Sequence, residues 1–428
     1  MSIIRLLTFV VLSSVIIGCG QGKNKVKPII NFTPKLYQEV DNLKVSLPVP
    51  SKANFWPGIN FVNELNNNFE ITNPSFVFRK SNMSVPGRIV AAPVIANNKL
   101  FVLSSNNTVA CYDIETQKQE WKVNLNTNQG QSIIFAGGLT IDGNRLYVVN
   151  NSRDLIVLEA SSGYEISRLN LSDIAISPVT VAASNVYLLT ANNQISSFDK
   201  KSLANLWQIN GLQNSLNLSI QSFTQPIVLG ETILTEFYSG QLAAISKANG
   251  QPIWQLAFNE DLDDANDMSY SNLSSQSVVD GNAAFVSSSA GFLTKVDVLS
   301  GQTFWRKKIQ DILSMNKFGN LIILTTNAQE IAAVSSETGE VAWVIDLTLQ
   351  EKKYNKPYNL LTPFMVNDSI YVVSSNGKLY EISSEGSLVS TRKIPSNIKF
   401  YAVNQDNIYL FSQGGIFYSQ KSKVSNAR

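Results

Sequence analysis

Apolar runs of strand length recur along the chain at even spacing between polar turns, which leaves no room for helices of normal length. The turn Ile141-Asp142-Gly143-Asn144 leads into Leu146-Tyr147-Val148-Val149, and Ala182-Ala183-Ser184-Asn185 leads into Val186-Tyr187-Leu188-Leu189. A second tight turn then opens a further strand, and here the chain repeats itself. Its clearest copy runs from Ser239 to Trp254, with relatives at Ala290 to Trp305 and Ala328 to Trp343. Asn107 to Trp121 and Asn193 to Trp207 follow the same plan without the glycine, and Asp154 to Ser167 and Gly377 to Ser390 put serine in the tryptophan place. Asn404 to Gln420 keeps only the strand pair before the turn. The residues just before the repeated strand are 107, 154, 193, 240, 291, 329, 377 and 415, at spacings of 47, 39, 47, 51, 38, 48 and 38. A unit of about 45 residues repeated eight times has the size of a four-stranded propeller blade. The expected fold is therefore all-β, an eight-bladed β-propeller over residues 56–420.

Pro93, Pro178, Pro226 and Pro363 stand just before the first strand of their units, where a missing N–H costs little. Trp121, Trp207, Trp254, Trp305 and Trp343 share one repeat position, which assigns them to packing between blades and not to a ligand. The last unit ends shortly after Tyr418, too soon for a full blade, while Phe69 to Lys80 has no blade of its own. An N-terminal strand completing the last blade removes both loose edges.

The ends carry a different message. Arg5, the apolar run Leu6 to Leu12 and Val15-Ile16-Ile17-Gly18 before Cys19 form a signal peptide over 1–18, too short for a span of ~20 apolar residues. Residues 19–55 contain Pro28, Pro34, Pro48 and Pro50 with little periodicity and are expected to be a tether; residues 421–428 form a basic tail. Lys and Arg total 34 against 32 Asp and Glu, but eight of the bases lie in these ends, so residues 36–420 hold 26 against 32, a net of −6. Such a body is a poor nucleic-acid binder. The chain has no histidine and only Cys19 and Cys111, which excludes histidine-based nucleophile systems, thiolate metal clusters and a CxxC redox pair. No catalytic residue, metal or cofactor is expected.

Ile16-Ile17-Gly18-Cys19 resembles the bacterial lipobox, which implies lipidation of Cys19; Gly20 in place of aspartate implies sorting to the outer membrane, with the body in the periplasm. Residues 240 to 254 resemble the tryptophan repeat of quinoprotein-like propellers, and two branches of that superfamily compete. Pyrroloquinoline quinone-dependent oxidoreductases hold a quinone and calcium and carry a vicinal cysteine pair, whereas Cys111 has no neighbouring cysteine. Asp263-Asp264 suits calcium in principle, but loop acids are more often solvated surface. A third reading is a periplasmic propeller that binds another protein or glycan. The leader, the stretch Val45-Ser46-Leu47-Pro48-Val49-Pro50 through Asn54-Phe55-Trp56-Pro57-Gly58, and the eight units together resemble the BamB family of outer-membrane β-barrel assembly lipoproteins. That resemblance implies a non-enzymatic scaffold of the assembly complex that docks on the periplasmic domains of the barrel insertase BamA and aids insertion of unfolded outer-membrane precursors. The family's docking loop is similar to Ser215-Leu216-Asn217-Leu218-Ser219, with Ser219 in the arginine place. Its acidic cluster corresponds to Asn272 and Ser274, with Asp264 and Asp267 close by. Leu216, Leu218, Asp264 and Asp267 are the expected partner-binding residues.

Overall fold

The structure, a computed structural model, describes residues 45–421 apart from 53–54, 57–67, 72–73, 127–136, 151–152, 176, 212–223, 238–239, 259–274, 351–357, 405–406 and 414. Eight antiparallel sheets follow one another as blades: 94–124, 137–170, 180–210, 227–257, 278–308, 312–346, 364–393, and 398–421 with 74–80. The repeated strand of the sequence is the third in each blade, for example Thr108–Asp113, Gln241–Ser246 and Phe292–Asp297. The one helix among the described residues is the single turn Leu347–Gln350. First strands of blades 1 to 4 touch in succession, as do those of blades 5 and 6, so first strands gather round the axis and fourth strands form the rim.

The second and third strands of most blades are buried almost end to end, although they read as apolar runs and not as alternating strands. The reason is that both faces of a blade are covered. In blade 1, Leu100, Val102, Ala110 and Tyr112 pack toward blade 8, while Phe101, Leu103, Val109 and Cys111 pack toward blade 2. The period of two survives as a choice of neighbour. The core is thus a ring of layers between blades. Near the axis polar groups tie the layers together: the Thr140 hydroxyl donates to Val179 O at 2.6 Å, that of Thr180 to Pro226 O, and Asn316 Nδ2 to Pro363 O at 3.2 Å. Pro226 and Pro363 lack an N–H but supply a carbonyl to the neighbouring blade.

The tryptophans lock the rim. Trp121, Trp207, Trp254, Trp305 and Trp343 each donate Nε1–H to a carbonyl of the next blade, on Ala160, Lys247, Val298, Ser336 and Ser384. Each ring lies flat against that blade's turn glycine: a Cβ on Gly163, Gly250, Gly301, Gly339 or Gly386 would stand 2.6, 2.6, 2.7, 2.7 or 2.4 Å from the ring. Those glycines have φ between 72° and 82°, which L side chains adopt at a cost.

The ring closes as the leftover strands imply. Pro74–Lys80 is the fourth strand of blade 8, pairing Phe78 with Ser419 and Lys80 with Phe417. The register shifts between Pro74 and Phe78, and Phe76, at φ 46°, turns inward to stack on Tyr371 of blade 7 with centroids 4.6 Å apart. It fills the place beside Ser390 where other blades use tryptophan. Asn68–Phe69 does not join that blade; it adds in parallel to Phe364–Val366 of blade 7.

Residues 45–52, together with 55–56, form a strap over the turns between first and second strands. Ser46 N donates to Asn320 Oδ1 at 2.9 Å, and Asn320 N to Ser46 O at 3.1 Å, on blade 6. Asn68 Nδ2 reaches Pro48 O at 2.8 Å and Asp368 Oδ1 at 2.7 Å on blade 7. Trp56 exchanges backbone bonds with Ile95 of blade 1 and packs on Phe69 and Tyr401.

Candidate functional site

An antiparallel blade puts its first-to-second and third-to-fourth turns on one face, and its second-to-third turn and its connection to the next blade on the other. The strap occupies the first face. The segments 212–223 and 259–274, which hold Leu216, Leu218, Asp264 and Asp267, together with Ser219, Asn272 and Ser274, lie outside the described residues; so do Cys19, the signal peptide and most of the tether. What the structure does give is their roots. Segment 212–223 follows the fourth strand of blade 3, Asn205–Asn210, and 259–274 follows that of blade 4, Pro252–Ala257. Both therefore leave from the face opposite the strap, one at each side of blade 4.

These two segments differ in kind. Residues 212–223 carry no charge and include Leu212, Leu216, Leu218, Ile220 and Phe223; residues 259–274 carry Glu260, Asp261, Asp263, Asp264 and Asp267 with no base.

The ground beneath them is pinned to both neighbouring blades. Gln225 N donates to Gln276 Oε1 at 2.8 Å and Gln276 Nε2 returns a bond to Gln225 O at 3.3 Å, joining blades 4 and 5. Gln225 Nε2 donates to Val179 O of blade 3 at 2.8 Å. Gly211 approaches the Phe237 ring so closely that a Cβ would stand 2.6 Å from it. Between these roots sits Glu236, 4% exposed, whose Oε1 accepts from Ser277 N at 2.6 Å. Its Oε2 has no partner among the described residues. Burial pushes this carboxyl up from 4.5 to about 7, opposed by the Ser277 bond. Sequence reasoning passed over Glu236; the signal was an acid inside the apolar run Ile233-Leu234-Thr235-Glu236-Phe237.

Cys111 is a free, buried thiol, pushed up to about 12 by burial, and so stays protonated. Among the described residues no three His, Cys, Asp or Glu side chains are grouped to hold a metal.

The family model described as outer membrane protein assembly factor BamB matches residues 75–134 and 118–345. The chain belongs to the BamB family. A relative across nearly its whole length is an uncharacterized protein of Rickettsia conorii, 30% identical over 97% of this chain and 99% of that one. Among solved structures, BamB from Moraxella catarrhalis is similar with a TM-score of 0.66 at 17% identity, covering 80% of this chain and 99% of that one. The quinohemoprotein alcohol dehydrogenase of Comamonas testosteroni is similar with a TM-score of 0.64 at 10% identity, covering 86% and 80%. At those identities both likenesses concern the BamB-family propeller itself and leave its use open.

Proposed function

We propose that this BamB-family chain is a non-enzymatic scaffold of an outer-membrane protein assembly complex. It is held at the outer membrane by lipid on Cys19, faces the periplasm, and docks on the periplasmic domains of the barrel insertase BamA while precursors insert. The observation that carries the docking role is the fixing of Gln225 and Gln276, which stand in sequence just after the apolar and the acidic segment, to each other and, through Gln225, to Val179 of blade 3. Rigid roots present loops at low ordering cost, as binding loops on a scaffold require. Leu216 and Leu218 supply the apolar anchor, and Asp264 and Asp267 the flanking charge.

Leu216→Asp with Leu218→Asp is expected to abolish cross-linked co-purification with BamA from membranes, through a loss of about 2 kcal/mol or more, at unchanged melting temperature. Normal co-purification by the folded double variant refutes the assignment. The quinone-dependent oxidoreductase reading draws on the dehydrogenase likeness, and calcium-dependent dye reduction by the purified chain separates it from the scaffold.

A further inference from the structure

Five blades seal the junction with the next blade by a tryptophan, but blade 7 has Ser390 in that place. Phe76 of blade 8 turns in beside it to stack on Tyr371. Beyond Phe76 the junction stays open, as a cleft of about 510 Å³ between the outer strands Leu388–Lys393 and Pro74–Lys80. Phe76 and Ile394 are buried at its floor, and Phe78 and Pro395 are half-buried at its sides. Arg392 and Lys393 line the end away from the strap.

Cations gather at that end. Arg392 stands opposite Leu379, which packs into the core shared with blade 8, so its side chain faces the cleft. The guanidinium lies 5.1 Å from the Phe76 centroid and donates one hydrogen bond, to Glu381 Oε2 at 3.1 Å. Its other N–H groups have no partner among the described residues. Lys80 follows Phe78 by two residues and shares its side of the strand. Lys80 and Lys393 are exposed and have no ion-pair partner among the described residues. Lys378 stands directly across the ladder from Lys393, a like-charge pairing that costs a sheet stability. On the two outer strands and their neighbours Lys378–Ile382 and Gly415–Lys421 the one acid is Glu381, whose carboxylate is taken by Arg392 and by the Ser390 hydroxyl at 2.6 Å.

We propose that this cleft binds an acidic, extended segment of another protein, one apolar side chain entering between Phe76 and Phe78 while neighbouring carboxylates meet Arg392, Lys393 and Lys80. A guanidinium already fixed by an aromatic face and one carboxylate keeps its remaining donors in a geometry that a second carboxylate can take. The apolar floor supplies the rest of the recognition, and it lies within reach of the same segment. Cations at one end of a recess fit a ligand that enters it; a plane of headgroup phosphates would meet the mouth and leave the floor empty. The inference is independent of docking at blade 4 and uses neither Leu216 nor Leu218.

The test uses the full chain carrying Cys19→Ser, so that no acyl group competes for the cleft, and a blocked, fluorescent peptide Asp-Glu-Leu-Asp-Glu read by anisotropy. The peptide is expected to bind and to be released by high salt. Serine in place of its leucine should weaken binding about tenfold, and Lys-Lys-Leu-Lys-Lys should not bind. Arg392→Gln should weaken binding of the acidic peptide about tenfold or more. Lys80→Glu with Lys393→Glu, both at exposed positions, should do the same at unchanged melting temperature. Lys307→Glu with Lys308→Glu, on the rim of blade 5, and Leu216→Asp with Leu218→Asp should leave it unchanged, so this site and the docking loop fail separately. Equal binding of the acidic and basic peptides, or full binding by both cation variants, overturns the proposal. So does a chain that ignores the peptide yet sediments with vesicles containing about 30% phosphatidylglycerol, which would give these cations to a membrane.

Discussion

Leu203 has φ 57° and stands where the turns of other blades carry glycine. The preceding blade has Ser167 in the tryptophan position, so no indole ring needs the space, and the Leu203 side chain fills it, packed with Tyr147 and Val157. Gln117 in blade 1 is also left-handed without being glycine, and the blade before it ends in Pro74–Lys80, which has no tryptophan. Tryptophan and turn glycine thus come as a pair divided between consecutive repeats, which explains why two units keep the plan without the glycine. Trp254→Ala is expected to cost about 3–5 kcal/mol in denaturant unfolding. Gly301→Ala should cost about 1–2 kcal/mol for its backbone alone and more for the clash with Trp254. The double variant should be more stable than the summed losses imply, because the clash vanishes with the ring; strict additivity would refute the pairing. Glu236 gives a second residue-scale test. Its folded value near 7 exceeds its ordinary 4.5, so the folded state holds an extra proton between those values. Its stabilising effect is complete below about pH 4.5 and is lost as pH rises through 7, on the order of 3 kcal/mol across the window. Glu236→Gln should flatten that slope in melting temperatures taken from pH 5 to 8.

At the scale of the element, seven blades shift register at the same place on the outer strand. The bulged residue precedes the tryptophan or serine position: Glu120, Ile166, Leu206, Ile253, Phe304, Ala342 and Val389. The bulge aims the tryptophan at the next blade and turns its predecessor outward, which explains why Leu206, Ile253 and Phe304 are exposed. It also breaks the flat edge that a free strand would need for pairing. The strands themselves were legible from apolar runs and turn residues, and the closing strand from a unit one strand short. The bulges were not, since an extra residue leaves no mark on hydropathy. The same holds for Phe76, whose inward turn depends on a gap that only the assembled ring contains. A chain beginning at residue 81 should lose the fourth strand of blade 8, expose the edge of Gly415–Lys421, and associate or aggregate in light scattering. A monodisperse, fully folded truncate would show the closing strand to be dispensable.

For the molecule as a whole, the sequence carries the ring but hides its faces. Val45 to Pro50 has no periodicity and reads as tether, yet Ser46 and Pro48 are bonded to blades 6 and 7, because Asn320 and Asn68 satisfy its backbone where hydropathy offers no cue. That the strands flanking the apolar and acidic segments end and begin on one face follows from strand direction, which sequence alone gives only once each blade is known to have four strands. The strap and closing strand have one further consequence. Asn68 bonds Asp368 across 300 residues, and Lys80 pairs with Phe417. A chain synthesised from its N-terminus delivers these two strands first and their partners last, so seven sheets can form while the eighth waits. Contacts of such sequence separation form slowly, and the ring stays open until the chain is complete. Maturation is thereby timed by the arrival of the final strand, and a chain cut short before residue 398 has no way to finish.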